Sequence, residues 1–160
     1  MNSNISVLFV CMGNICRSPA AEAVFKEKVK SSGHSERIAC DSAGTIGYHA
    51  GSPADSRMRA AGSRRGYHLD SISRQVRPED LERFDHIIAM DHDNMENLRS
   101  MGNVSDGKAR LSLMCDYARN HDDRVVPDPY YGGDRGFEHV MDLLEDACQG
   151  LLEELTRPKA

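Results

Sequence analysis

Short apolar runs recur along the chain, and most are followed by a segment whose apolar residues have helical spacing. The first run, Ile5–Val10, is almost entirely apolar and rich in β-branched residues, as expected of a strand buried on both faces. Three further runs predict strands: Arg37–Ser42, His86–Met90 and Arg110–Met114. The signal is strong at His86–Met90 and weaker at Arg110–Met114. The pattern therefore predicts four strands.

The segments between these runs predict helices. The first begins at Ser18-Pro19, because serine can cap a helix and proline suits its first turn, and it ends at Ser31-Ser32-Gly33. Three shorter helices are predicted: Asp55–Gly66, Pro78–Arg83 and Asp93–Ser100. Asp55 is expected to cap the first of them. A long loop, Asp116–Arg135, precedes a final helix with a clear apolar stripe: Phe137, Val140, Met141, Leu144, Ala147, Cys148, Leu151, Leu152 and Leu155.

Strands that alternate with helices favour a four-stranded parallel sheet with helices on both faces, an α/β fold. A chain of 160 residues can bury a full apolar core, so we expect residues 1–160 to form a single domain. In such folds ligands bind beyond the carboxyl ends of the strands. The loop after the first strand is therefore the first place to look for a site.

Composition and charge narrow the class of protein. The formal net charge of −5 gives no reason to expect nucleic acid or an anionic membrane surface as a partner. The segment Met1–Val10 lacks the basic residues and the apolar length of a secretion signal, and no apolar run reaches transmembrane length. We therefore expect a cytoplasmic protein.

The five cysteines, at positions 11, 16, 40, 115 and 148, are an odd number for a disulfide scaffold. A zinc site would need two more ligands grouped elsewhere, and the last three cysteines are isolated from one another. The segments Asp91–Asp93 and His121–Asp123 are better explained as solvated turns than as metal ligands. We predict reduced thiols, no metal and no cofactor.

The loop after the first strand, residues 11–18, has the sequence CMGNICRS. It joins a strand to a helix, so its backbone N–H groups and the positive end of the helix dipole converge where a tetrahedral dianion fits. Gly13 allows a turn that a side chain would obstruct, and Asn14 tolerates a left-handed backbone. Arg17 can close the far side with two parallel hydrogen bonds to phosphate oxygens. The loop thus predicts a phosphate-binding site.

Cys11 is expected at the base of this cradle. The amides and the arginine that attract phosphate also favour a thiolate, which can attack phosphorus, and Ser18 can donate a hydrogen bond to the sulfur. No metal is required, because the arginine and the amides neutralise the transferred group. An isolated cysteine at a strand end is usually a buried apolar residue, but this combination is more specific. A nucleotide-binding loop would need a Gly-Lys-Ser/Thr ending, which is absent.

The segment Val10–Pro19 resembles the signature of the low-molecular-weight protein-tyrosine phosphatases. Four more segments are similar to that family and follow its order along nearly the whole chain: Asp41–Gly44, Ser73–Val76, Ala89–Asp91 and Asp128–Gly133. The resemblance implies hydrolysis of phosphotyrosine through a cysteinyl-phosphate intermediate. It implies tyrosine-phosphorylated proteins as substrates, with inorganic phosphate as product and competitive inhibitor.

The leaving phenolate needs a proton from another part of the chain. By resemblance, Asp128 is that general acid, and later the base that activates water. Pro127 and Pro129 stiffen the chain around its carboxyl group, although an Asx-Pro turn alone would have the same sequence.

The resemblance also assigns the walls and floor of the site. Three aromatic side chains would form the walls of the pocket and suit a phenyl ring: Tyr48, Tyr130 and Tyr131. A tryptophan is common in the family at the position of Tyr48, and this chain contains none. The phosphate would be bound by the loop residues Met12, Gly13, Asn14, Ile15, Cys16 and Ser18.

Support for the loop is implied in the same way. Asn14 and Ser42 resemble a pair whose hydrogen bonding fixes the shape of the cradle, and a histidine that supports it in some members is replaced by Ser71. Asp91 either caps the next helix or holds part of the scaffold. Cys16 can close a disulfide with Cys11 upon oxidation, as the resemblance implies, or simply fill space under the loop.

Two other functions could use the same cradle. Arsenate reduction needs further thiols close to the nucleophile, and Cys40, Cys115 and Cys148 lack such close pairing in the sequence. A non-catalytic phosphotyrosine-binding module would not need a nucleophile and an acid. The sequence therefore favours the phosphatase.

Overall fold

Four parallel strands form the sheet of the computed structural model, which describes residues 4–101, 108–129 and 133–157. The strands are β1 Ile5–Cys11, β2 Ile38–Gly44, β3 His86–Ala89 and β4 Arg110–Leu113. Their order is β2-β1-β3-β4, and every neighbouring pair is parallel. The predicted four-stranded parallel α/β fold is confirmed.

The helices of the described residues connect these strands. They are α1 Arg17–Ser31, α2 Ser56–Ser63, α3 Asp80–Arg83, α4 His92–Arg99 and α5 Gly133–Thr156, with a 3₁₀ turn at Met114–Tyr117. Most ends lie within two residues of the predicted ones. The helix α2 ends earlier than predicted, because residues 64–66 tighten into a turn in which Gly66 has a φ of 89°.

The sheet separates two apolar cores, which explains the unbroken apolar run of β1. Val7 and Phe9 lie in the core formed with α1, α2 and α5, where the rings of Phe9 and Phe25 meet edge to face at 5.5 Å. Leu8 and Val10 lie in the second core, with residues of α3 and α4. Successive residues of a strand point to opposite faces, so both faces of β1 are covered.

The predicted helix cap is present at α2 but not at α1. Asp55 caps α2 by accepting hydrogen bonds from the backbone N–H groups of Arg57 and Met58, as predicted. The helix α1 begins at Arg17 with no side-chain cap, so the prediction that Ser18 caps it is wrong. The hydroxyl of Ser18 points instead into the loop that precedes the helix. Within the described ranges, no helix has both the length and the apolar character needed to cross a bilayer.

Candidate active site

The strand β1 delivers Cys11 to the carboxyl edge of the sheet, where its sulfur is enclosed by the loop that follows. The backbone N–H of Asn14 donates to Sγ of Cys11 at 3.3 Å, and Oγ of Ser18 lies 3.0 Å from the same atom. The residue is 3% exposed, yet it lines a pocket that opens to solvent. The sulfur therefore lies among hydrogen-bond donors at the bottom of a cleft.

Asn14 organises the curl of this loop. Its φ of 57° is left-handed, as the sequence predicted for this position. Its amide nitrogen donates to Oγ of Ser18 at 2.8 Å, and its amide oxygen accepts from the backbone N–H of Arg74 at 3.0 Å. The predicted pairing with Ser42 is wrong, because the hydroxyl of Ser42 donates to the carboxylate of Glu22 at 2.6 Å. That carboxylate belongs to α1, which packs against β2.

Backbone carbonyl groups of the loop after β1 accept hydrogen bonds from donors in later parts of the chain. Those of Cys11 and Met12 accept from the N–H groups of Thr45 and Ile46 at 2.9 and 3.1 Å. The carbonyl of Gly13 accepts from the hydroxyl of Ser73 at 3.0 Å, and that of Ile15 from the N–H of Asp55 at 2.8 Å. With these carbonyl groups engaged on the outer side, the loop can present N–H groups to an anion on the inner side.

Gly44, at the end of β2, packs directly against the backbone of this loop. A Cβ atom at Gly44 would lie 2.7 Å from the carbonyl oxygen of Met12 and 3.1 Å from the nitrogen of Asn14. Only a residue without a side chain permits so close an approach of two backbones. The end of β2 thereby fixes the position of the loop.

Arg17 lines the same pocket as Cys11 and is held by acceptors from other parts of the chain. Its Nη1 atom donates to Oδ2 of Asp91 at 2.6 Å and to the carbonyl oxygen of Val126 at 3.0 Å, and Nη2 lies 3.8 Å from Oδ2 of Asp128. Burial disfavours the charge of this guanidinium, but Cys11 and the two carboxylates outweigh it and raise the pKa of Arg17 above its usual value. The guanidinium is therefore charged and oriented.

Asp128 enters the site from the long loop between β4 and α5. Its side chain is 40% exposed, and it lies at the rim of the pocket. The preceding Val126 is fully buried, and its N–H donates to the carbonyl oxygen of Met90 at 2.8 Å. The loop is thus attached to the end of β3 two residues before the carboxylate.

The pocket has a volume of about 320 Å³. Its lining unites residues from the loop, from the segment after β2 and from the long loop: Cys11, Met12, Gly13, Ile15, Cys16, Arg17, Ile46, Tyr48, His49 and Asp128. Tyr48 stands at the rim, 84% exposed, with its ring edge-to-face against His49 at 4.8 Å. Tyr130 and Tyr131 lie outside the described residues.

Cys16 shares the pocket with Cys11 but differs from it in environment. Burial, together with the nearby carboxylate of Asp55 and the sulfur of Cys11, raises the pKa of the Cys16 thiol far above its usual range.

All five cysteines are free thiols, and the other three lie on β2, on the 3₁₀ turn and on α5. Among the described residues, no group of three or more His, Cys, Asp or Glu is arranged to hold a metal ion.

Several residues of the site were missed by sequence reasoning. Arg17 donates to the carbonyl oxygen of Val126, and the hydroxyl of Ser73 donates to the loop at Gly13. Ile46 lines the pocket. A backbone carbonyl leaves no mark in a sequence. Ser73 lies in a segment that resembles the family, but its hydroxyl had no predicted role.

Comparisons with known proteins agree over almost the whole chain. The family model described as low molecular weight phosphotyrosine protein phosphatase matches residues 6–160. A putative low molecular weight protein-tyrosine-phosphatase of Synechocystis is 48% identical over 94% of this chain and 96% of its own length. A crystal structure of a protein tyrosine phosphatase from Entamoeba histolytica covers 95% of this chain and 97% of its own, with 48% identity and a TM-score of 0.90. That of YfkJ from Bacillus subtilis covers 99% and 98%, with 42% identity and a TM-score of 0.89.

Proposed function

This chain belongs to the low molecular weight phosphotyrosine protein phosphatase family, and we propose that Cys11, Arg17 and Asp128 carry out the hydrolysis of phosphotyrosine in its protein substrates. One observation carries the assignment of roles. The sulfur of Cys11 lies at the bottom of a curled loop, with the hydroxyl of Ser18 at 3.0 Å. The charged fork of Arg17 closes the same pocket, and the carboxyl group of Asp128 lies at its rim.

In the first step the thiolate of Cys11 attacks phosphorus. A bond forms between sulfur and phosphorus, and the bond between phosphorus and the phenol oxygen breaks. The phosphoryl oxygens are neutralised by loop N–H groups and by the guanidinium of Arg17. Asp128, protonated at this stage, gives its proton to the departing phenolate.

In the second step a water molecule attacks the cysteinyl phosphate. The carboxylate of Asp128 takes a proton from that water, and the sulfur leaves as a thiolate. The hydroxyl of Ser18 can donate to the sulfur as its negative charge returns. Inorganic phosphate remains in the cradle as the product, and we propose that it competes with substrate for the same contacts.

The aromatic side chain at the rim of the pocket suits an aryl phosphate. Tyr48 can lie beside the ring of a bound phosphotyrosine, and we propose the same role for Tyr130 and Tyr131 from their place in the segment that resembles the family. Because these contacts lie above the phosphate, a shorter phosphoserine would reach the loop without them.

We also propose that the protein works in a reducing cytoplasmic compartment and that oxidation inactivates it reversibly. The thiols of Cys11 and Cys16 are both free and both line the pocket. A peroxide would oxidise the sulfur of Cys11 to a sulfenic acid, with reduction of the peroxide to water. Attack by the sulfur of Cys16 would then form a disulfide and release a second water. The five free thiols favour a reducing compartment.

Turnover of p-nitrophenyl phosphate and of a phosphotyrosyl peptide tests the roles of Cys11 and Asp128. We expect Cys11→Ser to abolish turnover, and Cys115→Ser, which removes a thiol outside the pocket, to leave it unchanged. Asp128→Ala should lose about 10²–10⁴-fold with leaving groups that need a proton. Activity of Cys11→Ser equal to that of the wild type would overturn the proposal. Arsenate-dependent oxidation of thioredoxin would support a reductase instead.

A further inference from the structure

The loop that carries Asp128 is tied to α5 by side chains that the proposed reaction does not use. Among residues 118–129, backbone-to-backbone hydrogen bonds with other described residues occur at Ala118 and Val126. Between these points the carboxylate of Asp146 holds the chain. It accepts from the N–H of Arg119 at 3.1 Å and from the N–H of Asn120 at 2.9 Å.

The same carboxylate also accepts from the imidazole of His121, whose Nδ1 lies 2.8 Å from Oδ2 of Asp146. The side chain of Asp146 is only 6% exposed. Although burial raises the pKa of Asp146, the bonds from His121 and the two backbone N–H groups outweigh it and bring the pKa below its usual value. The side-chain amide of Asn120 also donates to Oδ1 of Asp146, at 3.5 Å. A buried carboxylate with four donors is a strong anchor, because hydrogen bonds to charged groups exceed neutral ones in strength.

A second tie to α5 lies two residues farther along the loop. Nε2 of His139 lies 2.9 Å from Oδ2 of Asp123, and the rings of His139 and His121 meet edge to face at 6.3 Å. The contact between the two rings therefore links the His121–Asp146 pair to the His139–Asp123 pair. Together the pairs set the path of residues 119–123.

From this anchored stretch the chain runs directly into the site. Val126 is fully buried, and its carbonyl oxygen accepts from Arg17. Pro129 packs on α5, since a Cβ atom at Gly136 would lie 3.6 Å from Cβ of Pro129. Asp128 thus stands on a short segment fixed before it by Val126 and after it by α5.

We propose that Asp146 is a positioning residue for the proton transfer by Asp128. Its carboxylate fixes the first residues of the loop and so sets where the carboxyl group of Asp128 stands relative to Arg17. The proposal rests on the proposed role of Asp128 as the general acid. Catalytic geometry is sensitive to such support, because a displacement of about 1 Å can cost about 10²-fold in rate.

The test measures kcat/KM for aryl phosphates whose leaving phenols range from strongly to weakly acidic. In Asp146→Ala two backbone N–H groups lose their partner, and the loop is expected to shift. With phenyl phosphate, whose phenol has a pKa of about 10 and needs a proton to leave, we expect about a tenfold loss. With 2,4-dinitrophenyl phosphate, whose phenolate leaves unaided, the loss should stay below about twofold.

Two control variants separate positioning from general damage. Glu153→Gln removes the exposed partner of Arg119 on the same helix and leaves the bonds to Asp146 intact. It should have no effect that depends on the leaving group. Asp146→Asn keeps the shape of the side chain and one acceptor oxygen, so it should fold normally and show a smaller dependence of the same kind.

A double-mutant cycle with Asp128→Ala completes the experiment. Without an acid to position, Asp146→Ala should add less than about a twofold loss for any leaving group. A uniform loss over all leaving groups in both Asp146 variants, or full additivity with Asp128→Ala, would overturn the positioning role. If Asp128→Ala itself showed no dependence on the leaving group, the proposed acid would be wrong, which is a different failure.

Discussion

The Nη1 atom of Arg17 donates to the carboxylate of Asp91 at 2.6 Å, and the same carboxylate caps α4 by accepting from the N–H of Asn94 at 2.8 Å. Asp91, two residues after the end of β3, therefore fixes both the start of α4 and the direction of the guanidinium. The fork is oriented before a phosphoryl group arrives. Such preorganisation lowers the free-energy cost of binding and of reaching the transition state.

Replacement of Asp91 by asparagine separates its two roles. Asparagine caps helices as well as aspartate does, so Asp91→Asn should melt close to the wild-type temperature. It cannot hold the guanidinium by charge, and we expect KM and the inhibition constant of inorganic phosphate to rise about tenfold, or about 1.4 kcal/mol. Asp55→Asn, which changes the cap of α2 in the same way, is the control. Unchanged phosphate binding in Asp91→Asn would contradict this role.

Removal of the Ser18 hydroxyl should slow the second half of the reaction more than the first. In Ser18→Ala the sulfur of Cys11 loses a hydrogen-bond partner at 3.0 Å, and the amide of Asn14 loses its acceptor. The loss of a hydrogen bond to a charged group, about 1.5–3 kcal/mol, predicts a fall in kcat of about 10–100-fold. Rapid acid quenching should reveal accumulated phosphoenzyme. The control is Ser31→Ala, in the last turn of the same helix, which should keep the wild-type kcat. A wild-type kcat in Ser18→Ala would contradict this interpretation.

Gly44→Ala should damage the loop although it changes no residue of the loop itself. The new methyl group would meet the backbone of Met12 and Asn14, which cannot rotate away. Overpacking of this kind costs about 1–3 kcal/mol, so chemical denaturation should show that loss together with reduced activity. Gly47→Ala is the matched control, because its closest contact would be with Oε1 at the flexible end of the Gln75 side chain. Equal stability of the two variants would refute the close approach.

Oxidation tests the pairing of Cys11 with Cys16. In Cys16→Ser we expect normal turnover, but inactivation by excess peroxide that dithiothreitol no longer reverses. Without a neighbouring thiol to trap it as a disulfide, the sulfenic acid of Cys11 is oxidised further to sulfinic and sulfonic acids, which thiols do not reduce. The raised pKa of Cys16 means that its thiolate fraction still increases with pH above the usual thiol range. Disulfide closure in the wild-type protein should therefore keep accelerating above about pH 8.5. A plateau below that pH, or full recovery of Cys16→Ser, would contradict the proposal.

Much of the fold and part of the site could be predicted because the signals were local. The unbroken apolar run of β1 identified a strand covered on both faces, and Asp55 identified a helix cap from its own side chain. Asn14 was expected to adopt a left-handed backbone, since few residues tolerate it. In each case the signal in the sequence lies within a few residues.

Residues distant in sequence could not be placed in this way. Arg17 binds a carboxylate 74 residues away and a carbonyl 109 residues away. The hydroxyl of Ser18 had two plausible uses, as a helix cap and as a partner of sulfur, and only the curl of the loop selected the second. The sequence alone determined the α/β pattern and the composition of the cradle, because backbone preference and periodicity act locally. The tertiary structure decided which donor meets which acceptor, because that depends on how the chain packs as a whole.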